Sequence, residues 1–281
     1  MKEIKAEYRG IANQIVEESM IIANICAAQF LAEHAKTGIF NTHTGFDKKF
    51  LENAHNFLMA NLANEENQAE LAERYSVENL ATLKGYCQMR HDIEPIEGVY
   101  LEFRLRRYLT FAEFKSELAP HFGLGLEGYA TWTSPIRKYS DMVNHRLIKA
   151  VLTQQACEKP QDEVLARLQE ARRQNRLVER DIADWLYCRY LADKVAENAE
   201  FDAEVQDVMR GGLRVQLLEN GASMFVPAST LHPNKDEMQV NADELALYIQ
   251  GERRYKIGDL VKVKLTEVRE ETRSIIGQLI I

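Results

Sequence analysis

Between Tyr129 and Asp141 the chain reads YATWTSPIRKYSD, which puts a hydroxyl, a proline, a guanidinium and an ammonium into the five residues Ser134 to Lys138. Ser134 is of the type that caps a helix, Pro135 suits the first helical position, and Arg137 and Lys138 then fall in the first turn. A helix start presents unpaired backbone N–H groups and the positive end of the peptide dipoles, and a guanidinium can hold two phosphate oxygens at once. The chemistry this predicts is the grip of an anion, a phosphodiester above all. Asp141, four residues after Arg137, is placed to hold the guanidinium in one pose. Ile136, Tyr139, Ser140, Val143, Leu147 and Val151 supply the inward face, and Arg137, Asp141 and His145 an adjoining one. The same letters also spell a plain helix start with a solvated arginine, and spacing by itself favours that reading. Tyr129 and Trp132, just ahead of the turn, offer rings on which single-stranded bases stack, although a tryptophan such as Trp132 is more often core than platform.

The charge of the whole chain does not favour polyanions. Its 281 residues carry 35 Lys+Arg against 43 Asp+Glu, a net charge of −8, so a nucleic-acid role needs a local basic patch. Tyr100 to Lys149 supplies one, with eight Lys+Arg (Arg104, Arg106, Arg107, Lys115, Arg137, Lys138, Arg146, Lys149) against five acids (Glu102, Glu113, Glu117, Glu127, Asp141). Cys26, Cys87, Cys157 and Cys188 are far apart and form no C-x-x-C pair, and the histidines show no metal spacing. Reduced cytosol is the natural compartment. There is no charged-then-apolar leader, and no apolar run approaches the roughly 18 residues of a membrane helix. The expectation is a cytoplasmic protein without a membrane partner.

Helical spacing runs from Ile11 to Ala35 and again from Lys48 to Leu62. Val99, Leu101, Phe103 and Leu105 alternate with Tyr100, Glu102 and Arg104, predicting a half-buried strand with a hairpin partner around Phe111 to Leu118. From Gln161 to Asn198, Val164, Leu165, Leu168, Ala171, Val178, Ile182, Leu186 and Tyr190 trace one helical stripe. Beyond it, short apolar runs broken by Gly211-Gly212 and Asn220-Gly221, with two more across a charged turn, predict five strands in a small OB-type barrel. The segment His232 to Tyr255 is long for a barrel connection and predicts a short helix around Asp243 to Ile249. The fold class is therefore α+β, a helix-rich region with a few strands followed by a five-stranded OB-type β-barrel. On the barrel, Phe225, His232, Arg210, Arg214, Lys262 and Lys264 are candidates to meet RNA. Phe225 reads equally as core, and Lys262 and Lys264 as a solvated strand face.

HFGLGLEGYATWTSPIRKYSDMVNHRLIKAV, His121 to Val151, closely resembles the signature of the ribonuclease II family of exoribonucleases, in which a Thr-Ser-Pro-Ile-Arg-basic-Tyr core is followed by Asp and then His-Arg. NRLVERDIADWLYCRYL, Asn175 to Leu191, resembles the family's following helix, and IVEESMIIANICAA, Ile15 to Ala28, an earlier one. The resemblance implies that residues 1–200 are the C-terminal part of the catalytic domain and 201–281 the family's RNA-binding barrel. It implies a processive hydrolase that degrades single-stranded RNA from the 3′ end to nucleoside 5′-monophosphates with magnesium. Arg137 then takes the catalytic role of contacting phosphates beside the scissile bond, within an RNA-binding surface that includes Tyr129, Ser134 and Lys138. Glu179 corresponds to an acid near the bound 3′ end; without the resemblance it reads as a surface acid paired with Arg176 or Arg180. One of Glu17 and Glu18 contacts RNA, with Glu17 the choice.

The departure from the family is in its carboxylates. Two-metal hydrolysis needs acids converging on ions about 4 Å apart, and the family's dense aspartate cluster has no counterpart here; Glu65-Glu66, Glu179 with Asp181, and Glu270-Glu271 lack its spacing. The expectation is a C-terminal portion that binds no metal itself, whose partners are single-stranded RNA and the missing N-terminal half. Two other readings stand beside it: a stand-alone RNA-binding module, and an interaction scaffold built on the Gln161–Asn198 helix.

Overall fold

The computed structural model describes residues 4, 9–96, 100–241 and 244–280. Its contacts divide the chain into two compact units, one made of Arg9–Glu97 with Leu101–Arg173, the other containing Gln174–Ile281. The expected α+β class holds: helices dominate the first unit, and a closed five-stranded barrel dominates the second.

The first unit opens with α1 (Ile11–Phe30), which runs on through one π-helical turn, Leu31–Ala35. Asn24, Ala27, Ala28 and Leu31 are buried, so one narrow stripe faces inward. Ala28 and Leu31 join Phe40, Ala130 and Leu147 in a core cluster. The opposite face leaves Ile11, Ile15, Val16 and Ile22 exposed. This corrects one expectation: Ile11–Ala35 is long and apolar enough to cross a membrane by length and composition, and most of its surface is not buried. Counting unbroken apolar runs missed it, because Asn13, Gln14, Glu17, Glu18 and Asn24 interrupt the run without lowering its mean hydropathy enough.

After β1 (Phe40–Thr42) come α2 (Leu51–Leu62), α3 (Gln68–Arg74), α4 (Val77–Leu80), α5 (Leu83–Ile93) and α6 (Tyr100–Arg106). Ser76 and Thr82 cap α4 and α5 by accepting the N–H groups of Asn79 and Gly85. The strand expected over Val99–Leu105 is thus a helix from Tyr100; Val99 lies outside the described residues. Leu101 and Leu105 share a helix face as readily as a strand face, and Arg106 donates to Glu102 one turn back at 2.9 Å, a contact only the helix permits. The strand expected around Phe111–Leu118 is β2 (Glu113–Lys115), but its partner is β1, antiparallel with Asn41 opposite Phe114, and not the neighbouring Val99–Leu105 segment.

The helix expected to start at Ser134 is α7 (Tyr139–Leu152), with Lys138 at its N-cap. It buries Ser140, Asp141, Asn144 and Leu147, with Val143 packed against the same core, so the expected inward face holds at Ser140, Val143 and Leu147 and fails at its start, where Ile136 is fully exposed at 101% and Tyr139 is exposed. The long helix expected from Gln161 is α8 (Asp162–Leu191), followed by a 3-10 turn at Ala192–Lys194. Of its expected stripe Leu165 is buried, whereas Val178, Ile182 and Leu186 are exposed; Cys188, outside that stripe, is buried as well.

In the second unit β3 (Glu200–Met209), β4 (Gly212–Leu217), β5 (Ser223–Pro227), β9 (Leu260–Arg269) and β10 (Ser274–Leu279) close a barrel in the order β10-β5-β4-β3-β9. Ala203, Val205, Leu213, Val215, Met224, Val226, Val263 and Leu265 are buried inside it, the period of two that the sequence shows. Gly212 turns β3 into β4 at φ 140°, where a Cβ would lie 2.0 Å from the Val226 carbonyl oxygen. Between β5 and β9 lie the short α9 (Ala228–Leu231) and a three-stranded antiparallel sheet of β6 (Met238–Asn241), β7 (Ala246–Ile249) and β8 (Glu252–Lys256). This replaces the helix expected around Asp243–Ile249; Asp243 itself lies outside the described residues. The overlooked signal is Gln250-Gly251: both take positive φ, 55° and 81°, the backbone of a two-residue hairpin turn.

Candidate nucleic-acid interface

In the first unit the TSPIRKY segment is a tight turn ahead of α7. Ser134 accepts the N–H groups of Arg137 at 3.3 Å and Lys138 at 3.0 Å through its carbonyl. Its own N–H donates to Asp141 Oδ2 at 2.9 Å, and the Ser140 hydroxyl donates to Asp141 Oδ1 at 3.1 Å. Asp141 is 0% exposed. Its carboxylate therefore holds the backbone under Arg137, not the guanidinium as expected. The guanidinium is exposed and, among the described residues, makes no hydrogen bond or ion pair. Lys138 beside it is half-buried. A free guanidinium on a tied-down backbone presents two parallel N–H donors to an incoming phosphate without first breaking a protein contact.

The strand of chain leading into the turn is held as firmly. Asn24 on α1 donates to the Tyr129 hydroxyl at 2.8 Å and accepts the Trp132 N–H at 2.9 Å. Asn144 on α7, 0% exposed, accepts the Ile39 N–H at 2.8 Å and donates to the carbonyls of Ile39 and Thr131, each at 3.0 Å. His145 donates from Nε2 to the Trp132 carbonyl at 2.7 Å and stacks on the Trp132 ring, 4.2 Å between centroids. That tautomer follows from the acceptor it faces. His145 is thus spent on the turn's approach, not grouped with Arg137. Tyr129 is half-buried, its ring edge-on to His121. Sequence reasoning missed Asn24 and Asn144, since polar residues on an inward face carry no periodic signal; for Asn24 the available clue was a lone asparagine in an apolar stretch of α1.

The other candidates take simpler positions. Glu17 is exposed and paired with Arg9, whereas Glu18, also exposed, has no ion pair among the described residues. In the second unit Glu179 is exposed on α8 and pairs with neither Arg176 nor Arg180 among the described residues, while nearby Asp181 meets Arg273 at 3.4 Å. Phe225 resolves outward: it alternates with buried Met224 and Val226 and stands opposite Arg214 in the β4–β5 register. An aromatic ring beside a guanidinium on a barrel face suits base stacking with phosphate contact. Lys262 and Lys264 also point outward on β9, but their register partners on β3 are Asp202 and Glu200, so the stripe is not purely cationic. Tyr129, Ser134, Arg137, Lys138 and Glu17 belong to the first unit, and Glu179, Arg214, Phe225, Lys262 and Lys264 to the second.

Magnesium, which the family resemblance implies, finds no fit here: among the described residues no group of three or more His, Cys, Asp or Glu side chains is placed to hold a metal ion.

The chain's relatives follow this division. An RNB domain matches residues 1–154 and an S1 RNA binding domain residues 194–279. Over 280 residues the chain is 86% identical to a Haemophilus influenzae protein named Exoribonuclease 2, covering 100% of this chain and 42% of that protein. The chain thus spans less than half the length of the curated relatives it matches. Among solved structures, the apo form of Mycoplasma genitalium RNase R overlaps 98% of this chain and 42% of its own with a TM-score of 0.76 at 20% identity. The same enzyme in complex with ribose methylated single-stranded RNA gives a TM-score of 0.68 at 18% identity, again over 98% of this chain and 42% of that one. With the RNB match spanning more than half its residues, and an S1 RNA binding domain behind it, the chain belongs to the RNB domain family.

Proposed function

We propose that this chain is the C-terminal portion of a processive 3′-to-5′ exoribonuclease of the ribonuclease II type, which hydrolyses single-stranded RNA to nucleoside 5′-monophosphates in the cytoplasm. The observation that carries the reading is Arg137: an exposed guanidinium, unpaired among the described residues, on a turn whose backbone is fastened to a buried carboxylate. Phosphodiester hydrolysis builds negative charge on the phosphoryl oxygens, and a preset bidentate donor lowers the barrier most when it pays no reorganisation cost. Glu17 and Glu179 take the RNA-contacting roles of the family, and Arg214, Phe225, Lys262 and Lys264 track the strand along the barrel. The relative's RNA-bound structure supports single-stranded RNA as the partner. Magnesium belongs to the complete enzyme, on acids contributed by the N-terminal half, so the isolated chain binds RNA weakly and leaves it uncut. The exposed apolar face of α1 is the docking face for that half.

The test joins this chain to the remaining portion of the Haemophilus influenzae relative and measures mononucleotide release from a labelled oligoribonucleotide. Release by the joined protein and none by the chain alone is the expected result. Replacing Arg137 by Ala there should slow turnover by about a hundredfold or more while weakening binding only a few-fold. Equal losses would reduce Arg137 to an anchor. A second reading, an RNA-binding module without chemistry, draws on the lack of a metal-holding cluster among the described residues; it predicts binding without release in the joined protein as well.

A further inference from the structure

Asp141 is a carboxylate with 0% exposure and no ion pair among the described residues, in the first turn of a helix. Burying a charge in this way is costly unless the site uses the charge. Two features stabilise it. The carboxylate sits in the first turn of α7, where the helix dipole favours an anion. It also takes one charge-assisted hydrogen bond on each oxygen, from the Ser134 N–H at 2.9 Å and the Ser140 hydroxyl at 3.1 Å. Ser134 is the residue whose carbonyl accepts the Arg137 and Lys138 N–H groups. The chain from Ser134 to Asp141 is therefore a closed hydrogen-bonded loop, with the buried carboxylate as its tie and Arg137 at its exposed tip.

We infer that Asp141 is the positioning residue of the phosphate-gripping arginine: it contacts no substrate, and it fixes the backbone from which Arg137 reaches. The inference rests on the reading of Arg137 given above. A geometric requirement explains why charge is kept where a neutral side chain would be cheaper to bury. Holding a donor against a phosphate demands a backbone fixed to within a fraction of an ångström. A charge-assisted bond to Ser134 N–H supplies more restraint than an amide acceptor would.

The test uses Asp141→Asn, which keeps the shape and removes the charge. In this chain, hydrogen exchange at the amides of Ser134, Arg137 and Lys138 should accelerate about tenfold while exchange in the barrel strands stays constant. Unchanged exchange at those three amides overturns the proposal whether or not any nuclease activity exists. In the joined protein, Asp141→Asn should lower kcat about tenfold with KM within about twofold, and should cost less than about twofold when Arg137 is already Ala. A merely structural aspartate would cost the same in both backgrounds, and that result would also overturn it. Should the parent joined protein release no mononucleotide, the nuclease reading fails, and the exchange measurement alone decides whether Asp141 holds the turn. Ser140→Ala, which removes the weaker of the two bonds together with the 3.5 Å contact to the Thr131 hydroxyl, guards against misfolding; it should give a smaller change of the same pattern.

Discussion

Asn144→Ala is the substitution whose cost the structure defines most closely. The side chain is wholly buried and makes three hydrogen bonds, at 2.8, 3.0 and 3.0 Å, to the N–H and C=O of Ile39 and the C=O of Thr131. Ile39 is itself buried at 1% exposure, so water cannot replace the amide. A buried backbone group left unsatisfied costs about 1–3 kcal/mol, and here both groups of one residue lose their partner together, with a small cavity added. The expected destabilisation is about 3–4 kcal/mol, confined to the first unit. Urea unfolding followed by tryptophan fluorescence reads it directly, because Trp132 lies in the first unit and Trp185 in the second. With Trp185 replaced by Phe, the remaining signal comes from a ring stacked on His145, next to the site of change. Exposed Asn53 on α2 is the control, and its replacement by Ala should stay within about 0.5 kcal/mol. A loss below about 1 kcal/mol at Asn144 would refute the claim that this residue clamps the approach to the arginine turn.

Acidification should weaken the first unit. His43 accepts the Gly123 N–H on Nδ1 at 3.0 Å and donates from Nε2 to the Thr110 carbonyl at 3.1 Å, a neutral imidazole with both nitrogens used. Burial pushes its pKa below 6.5, and burial, together with the unfavourable approach of a second imidazolium at His43 and of the Arg172 guanidinium, does the same to His121. The native state then binds fewer protons than the unfolded one, so stability present above pH 6.5 is lost as pH falls from 6.5 toward the depressed values. Trp132-monitored urea curves between pH 7 and 5 should show this fall, with a shallower slope after His43→Gln; a flat profile would contradict it. Gly212→Ala should destabilise the barrel by more than about 2 kcal/mol, since it combines a positive φ with a 2.0 Å clash, and loss of Trp185-monitored stability measures it. Phe225→Ala should weaken binding of a fluorescent single-stranded oligoribonucleotide by about tenfold at unchanged stability if the outward ring stacks on a base. Unaltered anisotropy titrations would return Phe225 to the role of a surface residue.

Periodicity and turn chemistry made much of this protein legible in one dimension. Alternation with period two, broken at Gly211-Gly212 and Asn220-Gly221, announces β3 to β5, because each strand of a closed barrel must turn every second side chain inward. The helical run from Ile11 is just as readable, and the arginine turn stands out by residue type alone. Short elements were not so legible. Tyr100–Arg106 satisfies both periods over seven residues, and its helical state emerges only with the Glu102–Arg106 contact.

The roles around Arg137 needed three dimensions for a related reason. Sequence spacing places Asp141 one helical turn from Arg137, but the helix begins at Tyr139, and the carboxylate turns inward to Ser134. Asn24 meets Trp132 across 108 residues and Asn144 meets Ile39 across 105, contacts that no local pattern encodes. The sequence by itself determined which chemical groups are present and the periods of the elements that carry them. Tertiary structure decided which polar side chains are buried and what they hold, since a buried donor or acceptor takes whichever partner the packed chain brings within reach.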